Sequence, residues 1–209
     1  MRPLQEQPKV GALLLLLPVL GLTLAVLLGY FLFGERPGVF VGDPNALAKQ
    51  PAYYGLLSNV GAVIWTVTAT VSLYTWLAMR RLNIAAKDEE VAKLLLIAGL
   101  FTAFMGADDL FMLHEGLAPS LGIPEKIVLI GYVLFTVWLT VTSARTVLRT
   151  EWMLFLLGVA GLGGSVLIDV VPRIHPVQVL AEEMAKLAGI LYWSAYLLRL
   201  SWQTLTSGR

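Results

Sequence analysis

The chain of 209 residues contains no cysteine and only two histidines, His114 and His175. The missing thiols exclude disulfides, thiolate metal sites, covalent haem attachment and a cysteine nucleophile, and they leave no clue to redox compartment. Charge is scarce as well. Asp, Glu, Lys and Arg make up 14% of the residues and mean hydropathy is +0.76, whereas a soluble domain is roughly one-quarter charged. A soluble globular fold is excluded on that ground. The formal net charge is +1, and the positive residues are scattered at helix ends, so there is no basic face for nucleic acid. H-E-x-x-H and the Glu-x-x-His pairs of di-iron bundles are also absent.

What the sequence has instead is apolar length. Runs near twenty residues, the span of a bilayer core, fall at about 10–33, 54–79, 91–113, 127–147, 152–171 and 177–200. The expected fold class is all-α: one polytopic bundle over 1–209 with about six transmembrane helices and an outer loop at 34–52. The first run is longer than a signal-peptide core and no A-x-A-like site follows it, so it reads as a retained helix. Pro18 is expected to bend it. Asp43-Pro44-Asn45 has the chemistry to cap a short helix in the outer loop, and such a helix would suit a lid.

With six spans, one side of the membrane carries Arg2, Lys9, Arg80, Arg81, Lys87, Lys93, Arg145, Arg149, Arg199 and Arg209. The other carries Arg36, Lys49, Lys126 and Arg173. The positive-inside rule therefore puts both termini in the cytoplasm of a cell whose plasma (inner) membrane holds the chain. Lys186, the remaining positive residue, lies inside the last span. On this topology the third and fifth helices end, and the sixth begins, at the outer leaflet. Asp108, Asp109, Glu115, Asp169, Glu182 and Glu183 converge there, and Ser58 and Asn59 enter at the start of the second helix.

Charge at bilayer depth is expensive and marks ion paths, proton relays or reactive sites. Six carboxylates against Lys186 and Arg173 cannot all persist unpaired in low dielectric, so some are held protonated or a cation is bound. Asp108 and Glu115 are seven residues apart and share a helical face; Asp109 and His114 are turned to either side. Asp109 and Glu183 also suit solvated helix ends, Glu182 and Lys186 an i,i+4 ion pair, and Asp169 a partner for Arg173. His175, in P-R-I-H-P, reads as a surface-loop histidine. Oxygen and imidazole donors suit Zn²⁺, Mn²⁺ or non-haem iron, with Asp108, His114, Glu115, Asp169 and Glu182 as the candidate ligands. Asp108, Glu115 and Lys186 are the candidate catalytic groups.

G-V-A-G-L-G-G-S at 158–165 places small residues at spacing four, so the Gly158–Gly164 face invites close approach by a helical partner. It lacks the lysine of a phosphate loop. The six tryptophans suit interface belts or helix packing.

The runs A-D-D-L-F-M-L-H-E-G-L-A-P-S-L-G-I-P-E-K and A-E-E-M-A-K-L-A-G-I-L-Y-W resemble uncharacterised multi-pass membrane proteins of bacteria. That resemblance covers most of the chain and implies no activity. Ser58-Asn59, His114-Glu115 and Glu182-x-x-x-Lys186 are faintly similar to motifs of the alkaline ceramidase and progestin/adipoQ receptor group of intramembrane zinc hydrolases. That group uses three histidines and a late H-x-x-x-H helix, where this chain has Glu and Lys. The resemblance implies a membrane-embedded site and no ligand assignment.

The leading expectation is an intramembrane metal-dependent hydrolase or lipid-modifying enzyme acting on a membrane lipid or hydrophobic small molecule. A proton- or cation-coupled transporter or channel, or an accessory subunit of a larger membrane complex, are the alternatives.

Overall fold

The computed structural model describes residues 10–34, 36–82, 88–172, 175 and 177–206, and no strand occurs among them. Among the described residues four helices are long and apolar enough to cross a membrane, and a shorter apolar helix covers Leu17–Leu32. The chain divides into two compact units, Met1–Tyr54 and Gly55–Arg209, where the sequence predicts one bundle.

In the first unit, α1 spans Val10–Phe33, as the apolar run predicts. Two short helices follow, α2 (Pro37–Val41) and α3 (Pro44–Leu47). Asp43 caps α3 as expected, its carboxylate accepting from the Ala46 backbone N–H at 2.8 Å. Gly29 of α1 lies against the Phe40 ring, which a Cβ at that position would meet at 2.6 Å.

The second unit contains α4 (Leu56–Arg81), α5 (Glu89–Phe111), a π turn (Leu113–Leu117), α6 (Ala118–Ser120), α7 (Glu125–Thr142), α8 (Ala144–Arg149), α9 (Trp152–Val170) and α10 (Val177–Thr206). The helix ends follow local chemistry. The Asp88 side chain caps α5 by accepting from the Val91 N–H, and Glu89 and Glu90 complement its dipole; Arg80 and Arg81 do the same at the end of α4. At about 1.5 Å per residue, the 30 residues of α10 reach about 45 Å, longer than a bilayer core of about 30 Å.

The core joins α4, α5, α9 and α10. Trp65, Leu94, Leu95, Trp193, Tyr196 and Leu197 are buried within it. Phe155 sits between Trp193 and Tyr196 at ring distances of 5.5 and 5.2 Å, and the Trp193 indole N–H donates to Thr102 Oγ1 at 2.9 Å. Trp65 and Trp193 are therefore core residues, whereas Trp202 is exposed. The expected close helix contact occurs inside the chain. A Cβ on Gly158 would lie 2.7 Å from the Trp193 nitrogen of α10, and one on Gly161 would lie 2.6 Å from Gly189. Gly163 and Gly164 face open space instead. Helix α7 is the loosest member, with only Leu129 and Leu139 buried.

Candidate functional site

The third long helix ends two residues earlier than its apolar run. Met112 takes a left-handed conformation at φ +49° and its N–H closes on the Asp108 carbonyl, after which the chain turns through the π segment Leu113–Leu117. This break overturns the expectation that Asp108 and Glu115 share a face, because the 3.6-residue period no longer runs between them. Asp108 is 3% exposed, and the Glu115 side chain is 57% exposed.

The break instead brings His114 back onto Asp108. The carboxylate accepts the His114 backbone N–H at 2.9 Å through Oδ1 and lies 2.6 Å from ring Nδ1 through Oδ2. The other ring nitrogen, Nε2, is 3.4 Å from Glu115 Oε1. Burial opposes charge on His114, but the hydrogen bonds and negative charges of Asp108 and Glu115 outweigh it, pushing the pKa up to about 10. The two carboxylates thus favour a positive charge on His114 that a formal count of the cluster leaves out.

Asp109 is no solvated helix end. Its side chain is 6% exposed, accepts the Trp65 indole N–H at 2.9 Å and pairs with Lys186 Nζ at 2.6 Å. Lys186 therefore meets a carboxylate across the bundle, not only the Glu182 one turn away that the sequence offers. The two buried aspartates thus each face a basic side chain, His114 and Lys186.

Beyond the π turn and α6, the connection Leu121–Pro124 returns the chain to the same end and α7 begins with Glu125. His114, Glu115 and Glu125 each offer a ligand atom within 4.8 Å of the others, the one such group of three potential ligands among the described residues. Asp169 and Glu182 are half-buried and fall outside that group, as does Asp108, whose oxygens are taken by His114. His175 is exposed, with its Nδ1 accepting from the Val177 N–H. Glu183 lines a small pocket with Ser58, Asp109 and Lys186. Arg173, the proposed partner of Asp169, lies outside the described residues.

A cavity of about 320 Å³ adjoins this cluster at His114. Asp108, Asp109, His114, Asp169 and Lys186 line it together with Trp65, Tyr132 and apolar residues of α5, α7 and α9. Glu125 and Tyr132 were not singled out in the sequence. A signal for both existed, because they are seven residues apart on an amphipathic face of α7 that continues through Leu129, Thr136 and Thr140. Trp65 as the second partner of Asp109 had no such signal, since the two are 44 residues apart.

The fold and site thus define a class: an all-helical protein that has, among the described residues, four helices able to cross a membrane and an apolar cavity lined in part by paired charges. The chain belongs to the family of the domain of unknown function DUF8692, whose profile matches residues 13–200. No curated protein and no solved structure matches it.

Proposed function

We propose that the protein is an intramembrane hydrolase for a lipid or other hydrophobic substrate, with a divalent metal ion held by His114, Glu115 and Glu125. The observation that carries this reading is the convergence of those three side chains, from two elements, with His114 itself lining an apolar cavity. Asp108 supplies the outer contact that metal-binding histidines ordinarily have, a carboxylate on Nδ1 that turns Nε2 toward the ion. Zn²⁺, Mn²⁺ and Fe²⁺ fit the donor set. A metal of this kind supplies Lewis acidity and a water made acidic enough to ionise near neutral pH.

The remaining groups have roles of their own. Asp108 fixes the His114 ring, and Lys186, lining the same cavity, places positive charge where negative charge would develop on a substrate. The faint likeness to the alkaline ceramidase and progestin/adipoQ receptor group supports a membrane-embedded site and no ligand assignment. The charge distribution supports a plasma-membrane protein with cytoplasmic termini and the site in the outer leaflet.

Elemental analysis of the purified protein tests the reading. Wild type is expected to hold about one metal ion per chain, and His114→Ala and Glu125→Gln to lose most of it, as ligand changes generally do. Negligible metal in all three would sink the metal-dependent reading.

A further inference from the structure

The α7 wall of the cavity looks partly polar in sequence and is not so in structure. Thr136 and Thr140 donate their hydroxyls to carbonyls of their own helix, at 2.8 Å to Tyr132 and 2.7 Å to Thr136. The valines beside them, Val133, Val137 and Val141, complete an apolar wall opposite Val159, Leu162 and Val166 of α9. The ionisable groups gather at one end.

Three observations bear on what such a cavity takes. Its volume of about 320 Å³ is at the lower limit of the roughly 300–1,000 Å³ of small-molecule sites, which suits one hydrocarbon chain rather than two. Val137 and Val141 line it while being 54% and 69% exposed, so the cavity opens sideways along α7, a helix of bilayer-spanning length. At the closed end, His114 and Lys186 are each already matched by a buried aspartate. Among the described residues that line the cavity, an anionic head would find no cation without an aspartate already on it, which low dielectric penalises heavily. The Tyr132 hydroxyl, by contrast, is buried in the wall beside the Asp108 carboxylate and makes no hydrogen bond of good geometry, whereas buried polar groups generally make one.

We infer that this cavity binds a single-chain amphipathic molecule with an uncharged, hydrogen-bonding head, taken in from the bilayer between α7 and α9. This names a substrate class for the proposed site and rests on that reading for its membrane placement, but not on the metal. The chain lies along the valine wall, and the head meets the Tyr132 hydroxyl beside the two ion pairs.

Native mass spectrometry of the detergent-solubilised protein, in chelator, tests it with monoolein, oleate and dioleoylphosphatidylcholine as probes. Monoolein is expected to bind one per chain and in preference to both others. Gly163→Phe fills the cavity from a position where an added side chain meets nothing within 4 Å, and Val133→Trp fills it from the opposite wall. Each is expected to weaken monoolein binding at least about tenfold, the equivalent of about two methylenes losing their burial. Tyr132→Phe, which removes only the hydroxyl, is expected to weaken it about two- to tenfold.

Undiminished binding by both filled variants overturns the inference. Preference for oleate overturns the uncharged head, and preference for phosphatidylcholine overturns the single chain. Because the assay is run in chelator, monoolein binding by a protein that holds no metal would remove the hydrolase and leave this site standing. Bound metal without monoolein binding would do the reverse.

Discussion

At the scale of single residues, the site is governed by which carboxylate meets which cation. Removing one member of a buried pair strands the other, at about 3–5 kcal/mol, whereas replacing both by apolar groups of similar volume is often neutral. Asp109→Ala leaves the Lys186 ammonium and the Trp65 indole N–H without their acceptor, so it is expected to destabilise the protein by about 3 kcal/mol. Adding Lys186→Met should restore most of that loss, which thermal unfolding in detergent will read. A double variant no more stable than Asp109→Ala would show that the pair is not what holds this end of the bundle. Asp108 illustrates what sequence alone conveys: its cost at membrane depth is visible at once, but its partner, His114, is reached only because Met112 adopts φ +49°, and nothing in L-F-M-L-H announces that turn.

At the scale of elements, the helices were largely legible and their breaks were not. Apolar runs set α1, α4, α5 and α9 closely, while α10 continues to Thr206, past the expected end at 200. The run expected at 127–147, however, is divided by Ser143 into α7 and α8, and the run at 91–113 yields to the π turn. Glycine spacing predicted a close helix contact, and geometry decides which glycines make it. Gly161→Ala places a methyl 2.6 Å from the Gly189 backbone, where no side chain can give way. The expected loss is about 1–3 kcal/mol, typical of overpacking. Gly164→Ala meets nothing within 4 Å and should be neutral or stabilising by up to about 1 kcal/mol through helix propensity. Melting temperatures of the two variants side by side check the contrast, and equal effects would contradict the α9–α10 packing.

At the scale of the whole molecule, the absence of cysteine makes orientation directly testable. Single introduced cysteines are the only thiols in the chain. Ser120→Cys, beside the candidate site, is expected to react with an impermeant maleimide on intact cells, and Leu82→Cys, at the far end of α4, only after permeabilisation. The opposite pattern would move the site to the cytoplasmic leaflet. Orientation was proposed from lysine and arginine counts, and several of those residues, Arg2, Lys9, Lys87 and Arg209 among them, lie outside the described residues.

By itself the sequence determined the all-helical class, the long apolar helices and the end of the chain's second unit at which the ionisable groups gather. Those follow from local properties: apolar length, turn chemistry and the high cost of charge away from water. Only the tertiary structure decided that Asp108 belongs to His114, that Asp109 belongs to Lys186 and Trp65, and that Glu125 joins His114 and Glu115. Such pairings depend on helix phase after a break and on contacts between segments as far apart as Trp65 and Asp109. The cavity has the same origin, since side chains of α5, α7 and α9 line it together.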